Sequence, residues 1–156
     1  MLHDQLNEKD PTPGALFCDY ASFRLFYQAE ARSASRRGDA VHVAMLSVTD
    51  REGRELPARS LERTMEQLRM KVQSGLRRGD VLSRCSASQF VVLLLQAYYE
   101  NSNMVCERLV CMYEQAYPRS TAQVRFTVMP LEPLPGWSPN SSAKKASWSV
   151  FEENLK

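Results

Sequence analysis

An arginine and an aspartate stand three residues apart at Arg77 and Asp80, and five residues later comes the run Ser86-Ala87-Ser88-Gln89-Phe90. The charged pair offers a guanidinium donor and a carboxylate acceptor. At a helix-to-strand junction such a pair works as a local cap or ion pair. The later run offers hydroxyls and an amide, as do Ser47 and Thr49 further upstream. No catalytic set stands beside them. His42 is alone within an apolar stretch, which fits packing better than catalysis. There is no Gly-x-Ser-x-Gly, no glycine-rich phosphate loop and no histidine-carboxylate pair at helical spacing. Glu62 and Glu66 are four apart with Arg63 between them, which reads as a solvated helix face.

The elements that position these residues follow from periodicity. Residues 1 to 13 are polar with Pro11 and Pro13, and read as a leader or linker. Asp19 caps a helix on which Phe23, Phe26, Tyr27, Glu30, Ala31 and Ala34 share one face, and Gly38 suits its stop. Val41 to Val48 is an apolar strand, followed by the charged turn Thr49 to Arg54. The stripe Leu61, Met65, Leu68, Val72 and Leu76 predicts a second helix from about Arg59 to Leu76. Val81 to Cys85 and Phe90 to Leu95 form two strands of a hairpin. A third helix opens near Tyr99, turns Val105, Leu109, Met112 and Tyr113 inward, and ends at Pro118. Gln123 to Met129 alternates as a last strand. From residue 131 to 156 the chain is rich in Pro, Ser and Lys and reads as a tail, flexible or docked through Trp148, Val150 and Phe151.

The order is a helix followed by β-α-β-β-α-β. Val41 to Val48 and Phe90 to Leu95 are apolar at nearly every position, so both of their faces need cover. Val81 to Cys85 and Gln123 to Met129 carry polar residues and belong outside. Two central strands flanked by two outer ones is the ferredoxin-like α+β arrangement. The right-handed crossover rule places the second and third helices on the same sheet face. The first helix, or a second copy of the chain in a homodimer, has to cover the other.

Composition excludes several function classes. A chain of 156 residues with 44% apolar content suits one globular domain, here residues 14–130. A net charge of +2, with both signs interspersed, does not point to nucleic acid or a membrane surface. Arg36-Arg37 and Arg77-Arg78 are short doublets at helix ends, where cations suit the helix dipole. Cys18, Cys85, Cys106 and Cys111 form no Cys-x-x-Cys pair and do not cluster with His3 or His42, so free thiols and no metal are expected. The longest apolar run, Phe90 to Leu95, is too short to span a bilayer, and the expectation is a cytoplasmic protein. RNA-recognition domains share this strand order but place aromatics on the outer face of the first and third strands. Val41 to Val48 has none, so direct nucleic-acid binding is not expected.

The Arg77-x-x-Asp80 element, its spacing to Ser86-Ala87-Ser88-Gln89-Phe90 and the hairpin layout together resemble the signature of GGDEF domains, the diguanylate cyclases of bacterial signalling. The resemblance implies a ferredoxin-like fold with an extra N-terminal helix. Further runs resemble one group in particular: Gly14 to Tyr20, Phe23-Arg24, Glu30-Ala31-Arg32, Ser74 to Val81 and Tyr99-Glu100-Asn101. They are similar to the C-terminal GGDEF-like domain of Firmicute SARP/BTAD-type transcriptional regulators. That implies a role in signal transduction and transcriptional control, with a protein partner or upstream regulatory domains.

The same resemblance implies that the chemistry is degenerate. The family joins two nucleoside triphosphates with Mg2+, which takes hard oxygen ligands, normally carboxylates. Its acidic hairpin residue is Ser88 here, and Ser47 and Thr49 stand on its Asp-x-Asp. Asp50 is one residue further along, on the opposite face of a strand. The signature glycines are Ser86 and Ala87, whose Cβ atoms crowd a close backbone approach. Gln89 replaces a glutamate, and Phe90 alone is kept. Arg51 to Leu56 stands in place of the family's Phe-Lys-x-x-Asn-Asp. No catalytic residue, metal or cofactor is therefore expected. Arg77 and Asp80 match the family's inhibitory site for cyclic di-GMP. There the arginine stacks on guanine and the aspartate accepts from its edge. A cyclic-dinucleotide receptor is the alternative function.

Overall fold

The structure, a computed structural model, describes residues 1–37, 41–95 and 99–131. The helix stop expected at Gly38, the side chains of the Arg36-Arg37 doublet and the tail beyond Leu131, with Trp148, Val150 and Phe151, lie outside the described residues. The elements are α1 (Leu2–Leu6), β1 (Leu16–Cys18), α2 (Tyr20–Arg37), β2 (His42–Thr49), α3 (Ala58–Gly75), β3 (Val81–Ser86), β4 (Gln89–Leu94), α4 (Tyr99–Ala116) and β5 (Gln123–Pro130).

One five-stranded sheet runs in the order β1-β3-β4-β2-β5. The α+β class and the ferredoxin-like arrangement of β2 to β5 follow the sequence expectation. β2 lies antiparallel between β4 and β5, and the β3–β4 hairpin closes on the far side of β4. The apolar pattern of β2 explains its central place. Ala44, Leu46 and Val48 point to one face, Val43 and Met45 to the other, and all five are buried.

Helices α3 and α4 cover the first face. Met65, Leu68 and Val72 from α3, with Cys106, Leu109 and Tyr113 from α4, pack on Leu46, Phe90 and Val92. Gly75 lets the two helices come close, because a Cβ there would stand 2.6 Å from Leu109 Cδ2. The carbonyl of Gly75 accepts a 2.8 Å bond from Arg108 of α4. The end of α3 is thus met from another helix, while Arg77 and Arg78 lie just past its last turn.

The second face is covered by α2, through Phe23 and Ala31 with Tyr27 and Ala34 beside them, against Val43, Met45, Val91 and Leu93. Asp19 caps α2, its Oδ1 accepting the Ser22 N–H at 3.0 Å. Phe26, expected on the inner face, is 40% exposed. The seam that packs runs in steps of four and three through Phe23, Tyr27, Ala31 and Ala34, which leaves Phe26 on its flank.

One expectation is corrected here. β3 is not an edge, because β1 pairs in parallel with Val81, Leu82 and Ser83. β1 has three residues, of which Leu16 and Phe17 are exposed, so it carries no alternating signal. Its approach depends on Gly14, whose φ is +87° and whose absent Cβ would sit 1.8 Å from the Gln73 carbonyl oxygen. The start of the 1–13 segment is helical in α1, with no buried residue.

Candidate functional site at the hairpin end of the sheet

The C-terminal end of β2, the β3–β4 turn and the first turns of α3 meet at one end of the sheet. Register places Ser47 opposite Gln89. β3 shifts its register between Arg84 and Ser86, so Cys85 is the extra residue of a bulge, and Ser86 also faces Gln89. The three expected signature positions Ser47, Ser86 and Gln89 are thereby brought together. Gln89 Nε2 donates to Ser47 Oγ at 3.2 Å, and Ser86 Oγ donates to Gln89 Oε1 at 2.9 Å. The network is neutral, and Gln89 Nε2 also reaches Met45 Sδ at 3.5 Å.

The neighbouring positions are also engaged. Thr49 Oγ1 donates to the Asp50 carbonyl at 2.9 Å. The Ser88 carbonyl accepts the Val48 N–H at 2.9 Å, which ties the hairpin tip to β2. Ala87 is exposed and Phe90 is buried in the core. The Asp50 carboxylate turns back on its own loop, Oδ1 accepting the N–H groups of Glu52 and Arg54 at 2.9 and 2.8 Å.

Arg84 and Glu62, which sequence reasoning did not pair, form the strongest electrostatic contact of the site. The guanidinium fork meets both carboxylate oxygens, at 3.0 Å from Nη1 and 2.6 Å from Nη2. Arg84 also donates to the Ser86 and Ala87 carbonyls, clamping the turn to α3. Its hydrogen bonds hold the Glu62 carboxyl below the usual carboxylate range. Glu66 is held down in the same way, by hydrogen bonds from Arg69. Glu62 and Glu66 lie on a solvated helix face, as expected, and each carries an ion pair there. No spacing rule links residues 62 and 84, which the fold alone brings together.

Arg77 and Asp80 sit at the other end of β3, about 16 Å away along the strand. Asp80 is buried. Its Oδ2 accepts the Arg77 N–H at 3.0 Å and its Oδ1 the Leu95 N–H at 3.2 Å. Burial raises the Asp80 pKa, against the lowering effect of those bonds and of the Arg77 charge. The Arg77 side chain is exposed.

The donor set does not suit magnesium. Hydroxyls and an amide stand in place of hard anionic oxygens, and none of them carries the negative charge that a carboxylate would bring to the ion. Among the described residues no group of three or more His, Cys, Asp or Glu is placed to hold a metal ion. Cys18 and Cys85 are half-buried, Cys106 is buried and Cys111 exposed, all as free thiols.

This architecture is similar to that of solved diguanylate cyclase structures. Diguanylate cyclase SiaD from Pseudomonas aeruginosa, in complex with its activator SiaC, superposes with a TM-score of 0.64 at 16% identity over 86% of this chain. The GGDEF domain of DgcB from Caulobacter crescentus, in complex with c-di-GMP, gives 0.64 at 10% identity over 96% of this chain and 92% of its own. A DGC protein from Thermotoga maritima gives 0.63 at 10% identity, over 89% of this chain and 95% of its own.

The chain has the GGDEF-domain fold.

It spans 54% of the SiaD chain. No protein-family model and no curated protein matches the sequence. Among the described residues no helix is long and apolar enough to cross a membrane.

Proposed function

We propose that this chain is a catalytically inactive GGDEF-fold domain that acts as a regulatory and interaction module in signal transduction linked to transcription. One observation carries the reading. The positions that the family resemblance gives to metal carboxylates hold Ser47, Thr49 and Ser88, which bring no charge, and Ser47 lies in a neutral hydrogen-bond network with Gln89 and Ser86. Two carboxylates at the same end of the fold are spent elsewhere, Glu62 on Arg84 and Asp50 on its own turn. A hydroxyl offers no charge to repay magnesium's dehydration. A regulatory role requires a partner. SiaD, a neighbour in fold, binds an activator protein, and a protein partner or upstream regulatory domains of a longer chain are proposed here on that analogy. The test is incubation of the purified protein with GTP and Mg2+. No cyclic di-GMP is expected; measurable turnover refutes the reading.

A second reading, a cyclic-dinucleotide receptor, is favoured by the exposed guanidinium of Arg77. Asp80 counts against it, because both of its oxygens already accept backbone N–H groups. Calorimetry with cyclic di-GMP separates the two readings. Heat that disappears in Arg77→Ala supports the receptor; no heat at about millimolar ligand rejects it.

A further inference from the structure

A second cleft lies between the start of α3 and the turn that joins α4 to β5. It encloses about 520 Å³, within the range of small-molecule sites. Two arginines line it, Arg63 from α3 and Arg119 from the turn, and no carboxylate does. The acids beside Arg63 on its helix are already paired, Glu62 with Arg84 and Glu66 with Arg69. Arg63 and Arg119 are both exposed and make no ion pair among the described residues. Two like charges facing one concavity without a counter-ion repel each other, and an anion between them relieves that.

The wall supplies hydrogen-bond donors as well. Ser60, Thr64 and Thr121 present hydroxyls. The first turn of α3 has no acidic residue and no side-chain cap, so its N–H end adds positive potential. Hydrogen bonds shape the loop. Pro118 and Arg119 are the central residues of a turn in which the Ser120 N–H donates to the Tyr117 carbonyl at 3.1 Å. The Tyr113 hydroxyl and Ser120 Oγ are 2.9 Å apart, and that Oγ accepts the Ala122 N–H at 3.1 Å. The backbone at Arg119 is thus held by the turn, which leaves its side chain to be ordered on binding. Glu114 lines the adjoining cleft on the other side of Tyr117, with Arg51 beside it, and not this one.

We propose that this cleft binds a phosphate-bearing small molecule, with Arg63 and Arg119 on the phosphate. Arginine's planar fork suits phosphate oxygens, and the hydroxyls complete their hydrogen bonding. The half-buried Tyr117 lines the same space and gives the organic part of the ligand an aromatic surface. The site is separate from the hairpin network and from Arg77, so it stands or falls without them.

The test is an NMR titration of the full chain with adenosine 5′-monophosphate at fixed ionic strength, with adenosine and inorganic phosphate as separate arms. Saturable shifts of the Thr64, Arg119 and Thr121 amides are expected with the monophosphate and not with adenosine. Inorganic phosphate producing the same shifts supports recognition of the anion alone; tighter binding of the monophosphate supports a contribution from Tyr117. Arg63→Ala and Arg119→Ala should each weaken binding about tenfold or more, the loss expected for one charge-assisted hydrogen bond. Arg125→Ala, an exposed cation on β5 outside the cleft, should leave it unchanged. The proposal is overturned by equal shifts with adenosine, by arginine variants that bind as the parent does, or by no saturable shift up to about 20 mM.

Discussion

Asp80 and Leu95 are fifteen residues apart, yet Asp80 Oδ1 accepts the Leu95 N–H at 3.2 Å. The second oxygen accepts the Arg77 N–H. One buried carboxylate therefore joins the end of α3, the start of β3 and the exit from β4. Its backbone carbonyl takes the Leu16 N–H at 3.0 Å, so β1 is anchored at the same residue.

Asp80→Ala is expected to destabilise the protein by about 2–4 kcal/mol, because two N–H groups lose their acceptor at a buried site. Asp80→Asn, which keeps one acceptor, should cost less. Urea unfolding measures both. A loss under about 0.5 kcal/mol for the alanine variant would show that water satisfies those donors.

The same residue shapes the acid limb of stability. Its folded pKa is raised, so its contribution is full below its unfolded value of about 3.9 and is lost as pH rises through the folded value. Glu62 and Glu66 act in the opposite sense. Their folded pKa values are lowered, so their contribution is present above about 4.3 and is lost as pH falls through the folded values. Asp80→Asn removes the opposing component. Its stability should climb more steeply with pH between about 3 and 6 than that of the parent. An unchanged slope would mean that Asp80 titrates alike folded and unfolded.

Gly14→Ala should cost about 2 kcal/mol or more, since a positive φ and a clash with the Gln73 carbonyl arise together. The loss should concentrate at β1. Hydrogen exchange at Ala15 and Leu16, whose N–H groups bond Gln73 and Asp80, is expected to accelerate before that of β2. Uniform acceleration over the whole sheet would argue that β1 does not open by itself.

Arg84→Lys keeps the charge and loses the fork. We expect the turn at Ser86 to Gln89 to exchange its amides faster, while the core strands keep their protection, because a lysine cannot hold Glu62 and two turn carbonyls at once. Glu62→Gln should have the same effect in weaker form. Parent-like exchange in both variants would show that the Val48 N–H to Ser88 carbonyl bond suffices to hold the tip.

Thiol reactivity should follow burial. Burial pushes the Cys85 thiol up to about 11 and the Cys106 thiol up to about 12. Treated with iodoacetamide near pH 8, the native protein should alkylate at the exposed Cys111 first. Cys85 and Cys106 should react only after unfolding, as peptide mass spectrometry would show. Early labelling of Cys106 would place α4 in a looser packing than the one described.

Much of this protein can be read from residue order alone, because burying one face of an element imposes a period. The stripe Leu61, Met65, Leu68 and Val72 announced α3, runs apolar at nearly every position marked β2 and β4 as central, and Val124, Phe126 and Val128 announced β5. That Ser47, Thr49 and Ser88 carry no carboxylate is a matter of residue type and needs no coordinates. Other features have no period to report them. A three-residue strand such as β1 exists only because Val81 to Ser83 offers it a partner. Whether α2 or another molecule covers the second face, and that Phe26 stays outside, depends on how a helix rolls on a sheet. The Arg84–Glu62 clamp joins a half-buried arginine to an exposed glutamate, a pairing that many other spacings would have served equally well. Local patterning records which face is hidden from water, while tertiary structure selects what it is hidden against.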